Sequence, residues 1–485
     1  MNSIHQYQPP LAFIPPAFNP LVLRVVQALI PQILRSTAQV QSVQVEHLDR
    51  LVHHYQQFQQ GKSRLLLAFR HPSIDDPAVL FHLMAHLLPQ QAKGQGQPFK
   101  TPTHCHFLYD RGIPLWVGSW IGWLYSRLGG VPIHRGKLDM QGLRTARHLL
   151  GQGQFPFAIA PEGATNGHND IISPLEPGVA QLGFWAAEDL QKAGKANSVV
   201  ILPISLRYSY VRPPWTALDR LLTELEQDCG LPPLTALDPD LPCPTPDPAH
   251  QDGAVEDGAA GNSTDPLRYQ RLYRLGLQLL DQLEGFYSRF YHQDFSDLGA
   301  LQTPPGMATD PLPQRLQRLL NTALAAAEAH FGLKPKGDII ARCRRLEQAG
   351  WDWIYREDLE NRNRLSPLEC GLADRVAEEA ALRLWHMRIV ESFVAVTGSY
   401  VRQDPSADRY GETTLLVWDL ITRLKGGNPL KRPNLGAKAV KISIGEPLLV
   451  DSYWSQYQEN RRGARQAVAD LTQDLQTALE QLMRP

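Results

Sequence analysis

Between residues 64 and 206 the hydrophobic period of the chain changes repeatedly. Short apolar runs at 65–69, 104–109, 157–160 and 199–206 have the length and composition of buried strands, and stretches at 78–88, 142–150 and 179–190 carry apolar residues three and four apart. This alternation predicts an α/β fold, a sheet flanked by helices. In such sheets the residues that act on ligands sit on loops leaving the strand ends.

The pattern stops abruptly at 229–266, where there are eight prolines and seven acidic residues and neither Lys nor Arg. Such a composition cannot bury a core and predicts a disordered or flexible acidic, Pro-rich linker. Helical periodicity then dominates 269–291, 313–330, 337–349 and 368–396. A β-like run returns at 439–444, followed by Gly445-Glu446-Pro447 and an amphipathic helix at about 465–483. The expected organisation is an N-terminal amphipathic segment (1–39), an α/β catalytic domain made of 40–206 and 437–485, the linker (229–266), and a large, mostly helical insertion (267–436).

The net charge of −1 hides an asymmetry: residues 1–150 hold fourteen Lys or Arg against six Asp or Glu, net +8, leaving −9 for the remainder. A basic front third suits anionic headgroups, a phosphorylated substrate or an acidic carrier, and equally an ordinary solvated surface. Five scattered cysteines with no C-x-x-C pair argue against a disulfide framework or a structural zinc site, and fit a reducing compartment. Pro9, Pro10, Pro15 and Pro16 interrupt the start, which lacks the pattern of a secretory signal, and no window supplies the roughly 18 uncharged apolar residues of a spanning helix. The expected location is cytoplasmic, peripheral on the membrane face. Asn19-Pro20 reads as the cap and first residue of a greasy helix over 21–34, which either lies in the bilayer interface or packs on the neighbouring domain. A second helix is expected over 115–125, where Trp116, Trp120, Trp123 and Tyr125 suit the headgroup zone, an acyl channel or the core. His104 and His106 share one strand face, but a metal there would need further ligands.

The segment Arg70-His71-Pro72-Ser73-Ile74-Asp75-Asp76-Pro77 follows the first apolar run directly. An imidazole abutting five apolar strand residues is either an odd core histidine or a site residue. A His whose second ring nitrogen donates to a carboxylate is held in one tautomer and stabilised when it takes a proton, as a general base requires, and Asp76 is spaced to supply that carboxylate. Asp76-Pro77 also reads as a helix N-cap followed by proline at the first helical position.

Three further blocks follow in order: Gly129-Gly130-Val131-Pro132-Ile133-His134-Arg135, then Pro161-Glu162-Gly163 after the run at 157–160, then Val199-Val200-Ile201-Leu202-Pro203-Ile204. With His71-x4-Asp76, this series resembles the glycerolipid acyltransferases, the family that includes lysophosphatidic acid acyltransferase. The resemblance covers roughly 60–206, with 442–447 and the last helix echoing that family's ending. It implies a glycerolipid-acyltransferase-like sheet and transfer of a fatty acyl group from a thioester of acyl carrier protein or CoA to a lysophospholipid, foremost 1-acyl-glycerol-3-phosphate. It implies no bound cofactor, no metal and no nucleic-acid partner. His71 would be the general base and Asp76 its orienting partner. Arg135 would contact the acceptor's phosphate, a role that suits a guanidinium fork, with Lys137 as a second cation nearby. Glu162 and Gly163 would shape the acceptor side, and Ser73 is grouped with the substrate-binding residues.

A thioester is already activated and the sequence has no G-x-S-x-G elbow, so direct transfer without a covalent intermediate is expected. Donors for the developing oxyanion are expected near the helix start at Asp76-Pro77. Arg70 stands where the family often has Asn, Ala164-Thr165 replace the usual Thr or Ser followed by Arg, and 174–178 are less basic than usual, all of which weakens the case for a phosphate-bearing acceptor. Two other readings remain: a hydrolase in which the same dyad activates water, and an inactive membrane scaffold that binds partners through the insertion.

Overall fold

The computed structural model of the chain describes residues 6–134, 139–195, 198–244, 265–295, 312–359, 362–391, 400–429 and 431–483. The chain forms two compact units, Leu11–Val211 with Ala437–Pro485, and Met1–Pro10 with Arg212–Gly436.

The first unit is built on one sheet of β1 (Val40–Glu46), β2 (Ser63–Phe69), β3 (His106–Asp110), β4 (Gly130–Ile133), β5 (Phe157–Ile159), β6 (Ser198–Tyr210), β7 (Lys438–Ile444) and β8 (Leu448–Leu449). Its order is β1-β7-β6-β2-β5-β3-β4, with β8 also on β6. Every pairing is parallel except those of β6 with β7 and β8. Helices α1 (Pro20–Ser36), α2 (Leu48–Gln59), α3 (Asp76–His82), α4 (Leu88–Gly94), α5 (Ile113–Val117), α6 (Ser119–Arg127), α7 (Met140–Gln152) and α8 (Gly178–Lys192) accompany it.

Because strand side chains alternate, the apolar run in β2 feeds two cores at once. Leu65, Leu67 and Phe69, with Val200, Leu202, Ile204, Leu206 and Tyr208 of β6, pack on Leu51 and Tyr55 of α2 and Val79 and Leu80 of α3. On the opposite face Leu66, Ala68, Val199 and Ile201 meet Ala146 and Leu150 of α7 and Val179 and Phe184 of α8. Each fully buried Leu or Phe contributes roughly 1.5–3 kcal/mol from area alone, so this double-sided core fixes the register of β2 and β6 against one another.

Proline is disfavoured inside a sheet because it has no N–H to give. Pro203 is tolerated because β6 changes neighbours there: Val200 and Ile201 face β8, Ile204 onward faces β7, and the carbonyl of Pro203 accepts the Gly445 N–H at 2.9 Å.

The second unit is helical among its described residues, with α9 (Trp215–Asp228), α10 (Pro266–Tyr291), α11 (Leu312–Phe331), α12 (Ile339–Ile354), α13 (Pro367–Glu391), α14 (Tyr400–Gln403) and α15 (Ala407–Leu424). Inside it the Tyr287 hydroxyl meets His386 Nδ1 at 2.8 Å and Arg342 pairs with buried Glu328 at 2.7 Å. The first unit then closes with α16 (Trp454–Glu459) and α17 (Arg461–Gln481), whose Leu471 and Leu475 join the α7–α8 side of the core. Most of the stretch expected as a linker, 245–264, lies outside the described residues, as does 392–399 at the end of one expected helix.

Asn19 caps α1 as expected, its side chain accepting from the N–H groups of Leu21 and Val22, and Pro20 opens the helix. The single aromatic helix expected over 115–125 is instead two, α5 and α6, broken at Gly118, whose φ of +111° lies in the left-handed half of the map that glycine alone enters freely. The break separates two roles. Trp120 and Trp123 are exposed, whereas Tyr125 packs edge-on against Phe107 and Tyr109.

His104 and His106 are buried donors to main-chain carbonyls, Nε2 of His104 to Leu128 at 2.8 Å and Nδ1 of His106 to Gly129 at 3.0 Å, which ties the start of β3 to the end of α6. Burial pushes His104 down from 6.5 to about 4. The unfolded chain takes up this proton first, so the stability gained by keeping His104 neutral is complete above pH 6.5 and falls as the pH drops toward 4, by roughly 3 kcal/mol in all. Thermal melts of wild type and His104→Gln between pH 7 and 4 should show a shallower acid loss in the variant; parallel slopes would contradict this.

Candidate active site

Strands β2 and β5 are parallel neighbours, so the segments after Phe69 and Ile159 leave the sheet side by side at its C-terminal edge. That juxtaposition builds the site. The N–H of His71 donates to Glu162 Oε1 at 2.9 Å, and Glu162 Oε2 accepts from Asn166 Nδ2 at 2.8 Å and the Ser173 N–H at 2.9 Å. Glu162 is buried, and its carboxylate holds the protein's own loop, 162–173, onto the end of β2.

Arg70 is fully buried and turns under the same loop, donating to the carbonyls of Asn169, His168 (3.1 Å) and Ile171 (2.6 Å). Its Nε lies 3.8 Å from Glu162 Oε1, so the buried cation and buried anion offset each other's desolvation.

His71 stands just beyond, partly exposed, with its ring edge-on to Phe69 at 6.0 Å. Nδ1 lies 2.9 Å from Asp76 Oδ2. Asp76 is the first residue of α3, but its side chain does not cap the helix: it turns back toward the strand end. Oδ2 also accepts the Ser73 N–H at 2.9 Å, and Oδ1 accepts the hydroxyl of Tyr208. Tyr208 lies on β6 four residues past Ile204, the partner of Phe69, so the longer strand overhangs the end of β2 and delivers the phenol under the carboxylate. Burial, and then the Asp76 charge, push the Tyr208 phenol well above its usual range, so it remains a donor.

An ionised carboxylate can only accept. The Nδ1 of His71 therefore carries the proton, and Nε2 presents its lone pair outward. At Nε2, 3.0 Å away, is the hydroxyl of Thr165, which consequently donates. Carboxylate, imidazole and hydroxyl thus stand in one hydrogen-bonded line.

Residues 43–207 match the family model described as Acyltransferase. These residues form an acyltransferase domain. The chain is accordingly an acyltransferase. No curated protein matches it.

In the acyltransferase domain the structure brings His71, Asp76, Ser73, Glu162 and Gly163 together. Ser73 is a turn residue: its hydroxyl donates to Asp75 Oδ2 at 3.3 Å and accepts the Asp75 N–H. Gly163, at φ +69°, makes the turn that leads from Glu162 to Thr165. Arg135 and Lys137 lie outside the described residues; before and after them, Asp139 accepts from the His134 N–H at 2.9 Å and from Arg111 at 2.7 Å. The N–H groups of Asp75, Asp76, Ala78 and Val79, where oxyanion donors were expected, are engaged within the turn, that of Ala78, for example, on the Asp75 carbonyl at 3.0 Å.

Sequence reasoning missed Tyr208, which no local spacing links to Asp76, and the hydroxyl of Thr165, which had registered only as a departure from the third block. Tyr208→Phe should lower kcat for acyl transfer about tenfold or more, because a charge-assisted hydrogen bond to a buried carboxylate is worth about 1.5–3 kcal/mol. Steady-state kinetics on a variant with wild-type melting checks this, and an unchanged kcat would show the bond to be idle.

Proposed function

We propose that the chain is an O-acyltransferase that moves a fatty acyl group from a thioester of acyl carrier protein or CoA to the hydroxyl of a lysophospholipid, foremost 1-acyl-glycerol-3-phosphate. The observation that carries this reading is the outward lone pair of His71 Nε2, held by the 2.9 Å contact of Nδ1 with Asp76. A lipid alcohol replacing the Thr165 hydroxyl at Nε2 gives its proton to the ring as its oxygen attacks the thioester carbonyl. The C–S bond breaks, and the thiolate takes that proton from Nε2. Transfer is direct, and Asp76 stabilises the imidazolium while it exists.

Arg135 and Lys137 follow β4, whose end lies on the same sheet edge as that of β2, and we assign them to the acceptor's phosphate. Protein residues alone supply the chemistry in this reading, with no bound cofactor and the thioester as co-substrate.

We place the domain on the surface of a membrane, in the cytoplasm. In support, Leu21, Val25, Leu29 and Ile33, four apart along α1, are exposed, and so are Leu115, Val117, Trp120 and Trp123 on α5 and α6. No described helix is long and apolar enough to cross a membrane. The α1 row suits a helix lying in the headgroup plane.

With acyl-CoA or acyl carrier protein thioester and lysophosphatidic acid, wild type should form phosphatidic acid, and His71→Ala should lower the rate on the order of 10² to 10⁴-fold. Fatty acid released at a rate indifferent to the acceptor would support the hydrolase reading instead. Flotation with anionic vesicles should recover wild type, and the triple variant Leu21→Gln, Val25→Gln, Leu29→Gln should stay behind; equal recovery would remove α1 from the membrane surface.

A further inference from the structure

We propose that Thr165 is itself an acyl acceptor, so that in the absence of a lipid alcohol the chain esterifies its own hydroxyl. The inference rests on the reading above that His71 is the base and a thioester the donor. Its geometry is independent of that reading. Thr165 Oγ1, His71 and Asp76 form a continuous relay, hydroxyl to Nε2 at 3.0 Å and Nδ1 to carboxylate at 2.9 Å. Hydroxyl, imidazole and carboxylate in this sequence activate the nucleophile of serine hydrolases, and such a relay is recognised by geometry rather than by position in the chain.

Two further features suit the side chain to this role. Thr165 is exposed, so a thioester that reaches the base also reaches this oxygen. The hydroxyl is also held in place. The next residue, Asn166, donates its N–H to the carbonyl of His71 at 3.3 Å and its side chain to Glu162 at 2.8 Å and to Ile171 O at 2.7 Å. A nucleophile fixed at its base in the resting protein has already lost most of the freedom that an incoming alcohol must give up.

The step balances without a further reactant. The Oγ1–H proton passes to Nε2 as Oγ1 bonds the thioester carbonyl carbon, the C–S bond breaks, and the thiolate takes the proton from Nε2. The products are a threonine ester and a free thiol. A lipid alcohol bound at Nε2 displaces the Thr165 hydroxyl from the base, so acceptor and self-acylation compete.

The test uses the full chain with hexadecanoyl-CoA and, in parallel, hexadecanoyl acyl carrier protein, without acceptor. Samples are acid-quenched from milliseconds to minutes and read by intact mass and peptide mapping. The expected result is one acyl group per chain, on the peptide containing Thr165, resistant to neutral hydroxylamine and released by alkali as an oxygen ester is. It should be lost in Thr165→Val and His71→Ala, kept in Thr165→Ser, and suppressed by excess lysophosphatidic acid. If wild type acylates lysophosphatidic acid yet carries no acyl group on Thr165 at any time, this inference fails and the proposed function stands. An adduct on Thr165 without lipid acylation supports the inference and removes the lipid acceptor. An adduct that persists in His71→Ala overturns the relay, and neither product with either donor overturns both proposals.

Discussion

The Asp76 carboxylate receives hydrogen bonds from the His71 ring and the Ser73 main chain, both in the turn after β2, and from the Tyr208 hydroxyl on a strand 132 residues away. A buried anion is stable only when its lone pairs are satisfied, so these donors must be in place before the imidazole can be oriented. The fold meets this requirement through strand lengths. β2 ends early, leaving His71 at the sheet edge, and β6 continues past it far enough to bring Tyr208 beneath α3. The alternation that buries Leu202, Ile204 and Leu206 on the α3 face puts Tyr208 on that face too.

A second buried carboxylate, Glu162, performs the corresponding task for the neighbouring loop. It ties His71, Asn166 and Ser173 together by one side chain, and Arg70 closes the arrangement from below through three carbonyls. Glu162, which the resemblance sets on the acceptor side of the pocket, directs these bonds to the main chain of His71 and Ser173 and the side chain of Asn166. The same clamp explains how an arginine can stand after β2: its charge faces Glu162 and its donors have carbonyl partners, so the cation supports the loop from inside.

Features with a local physical signature were legible in the sequence. The continuous apolar runs of β2 and β6, the Asn19-Pro20 start of α1, the strand after the helices and the pairing of His71 with Asp76 all follow from period, capping or spacing. Short edge elements were harder: β1 and β8 carry little apolar signal, and the break between α5 and α6 turns on one glycine dihedral. Tyr208 was invisible because its contact joins residues 132 apart, a proximity that only sheet order creates. Asp76 shows how one signal can serve two readings. Its spacing before Pro77 suited an N-cap, and burial of the side chain with three donors turned it toward the histidine.

In the proposed mechanism Asp76 holds His71 in the tautomer that takes a proton from an attacking alcohol. Asp76→Asn keeps the volume and removes the charge, and an amide that presents its NH2 to Nδ1 reverses the tautomer. Acyl-transfer kinetics on this variant, with folding checked by its melting curve, should show kcat reduced on the order of 10³ to 10⁴-fold with KM little changed. A folded Asp76→Asn protein that turns over within about threefold of wild type, too small a change to represent even 1 kcal/mol of transition-state stabilisation, would contradict the account.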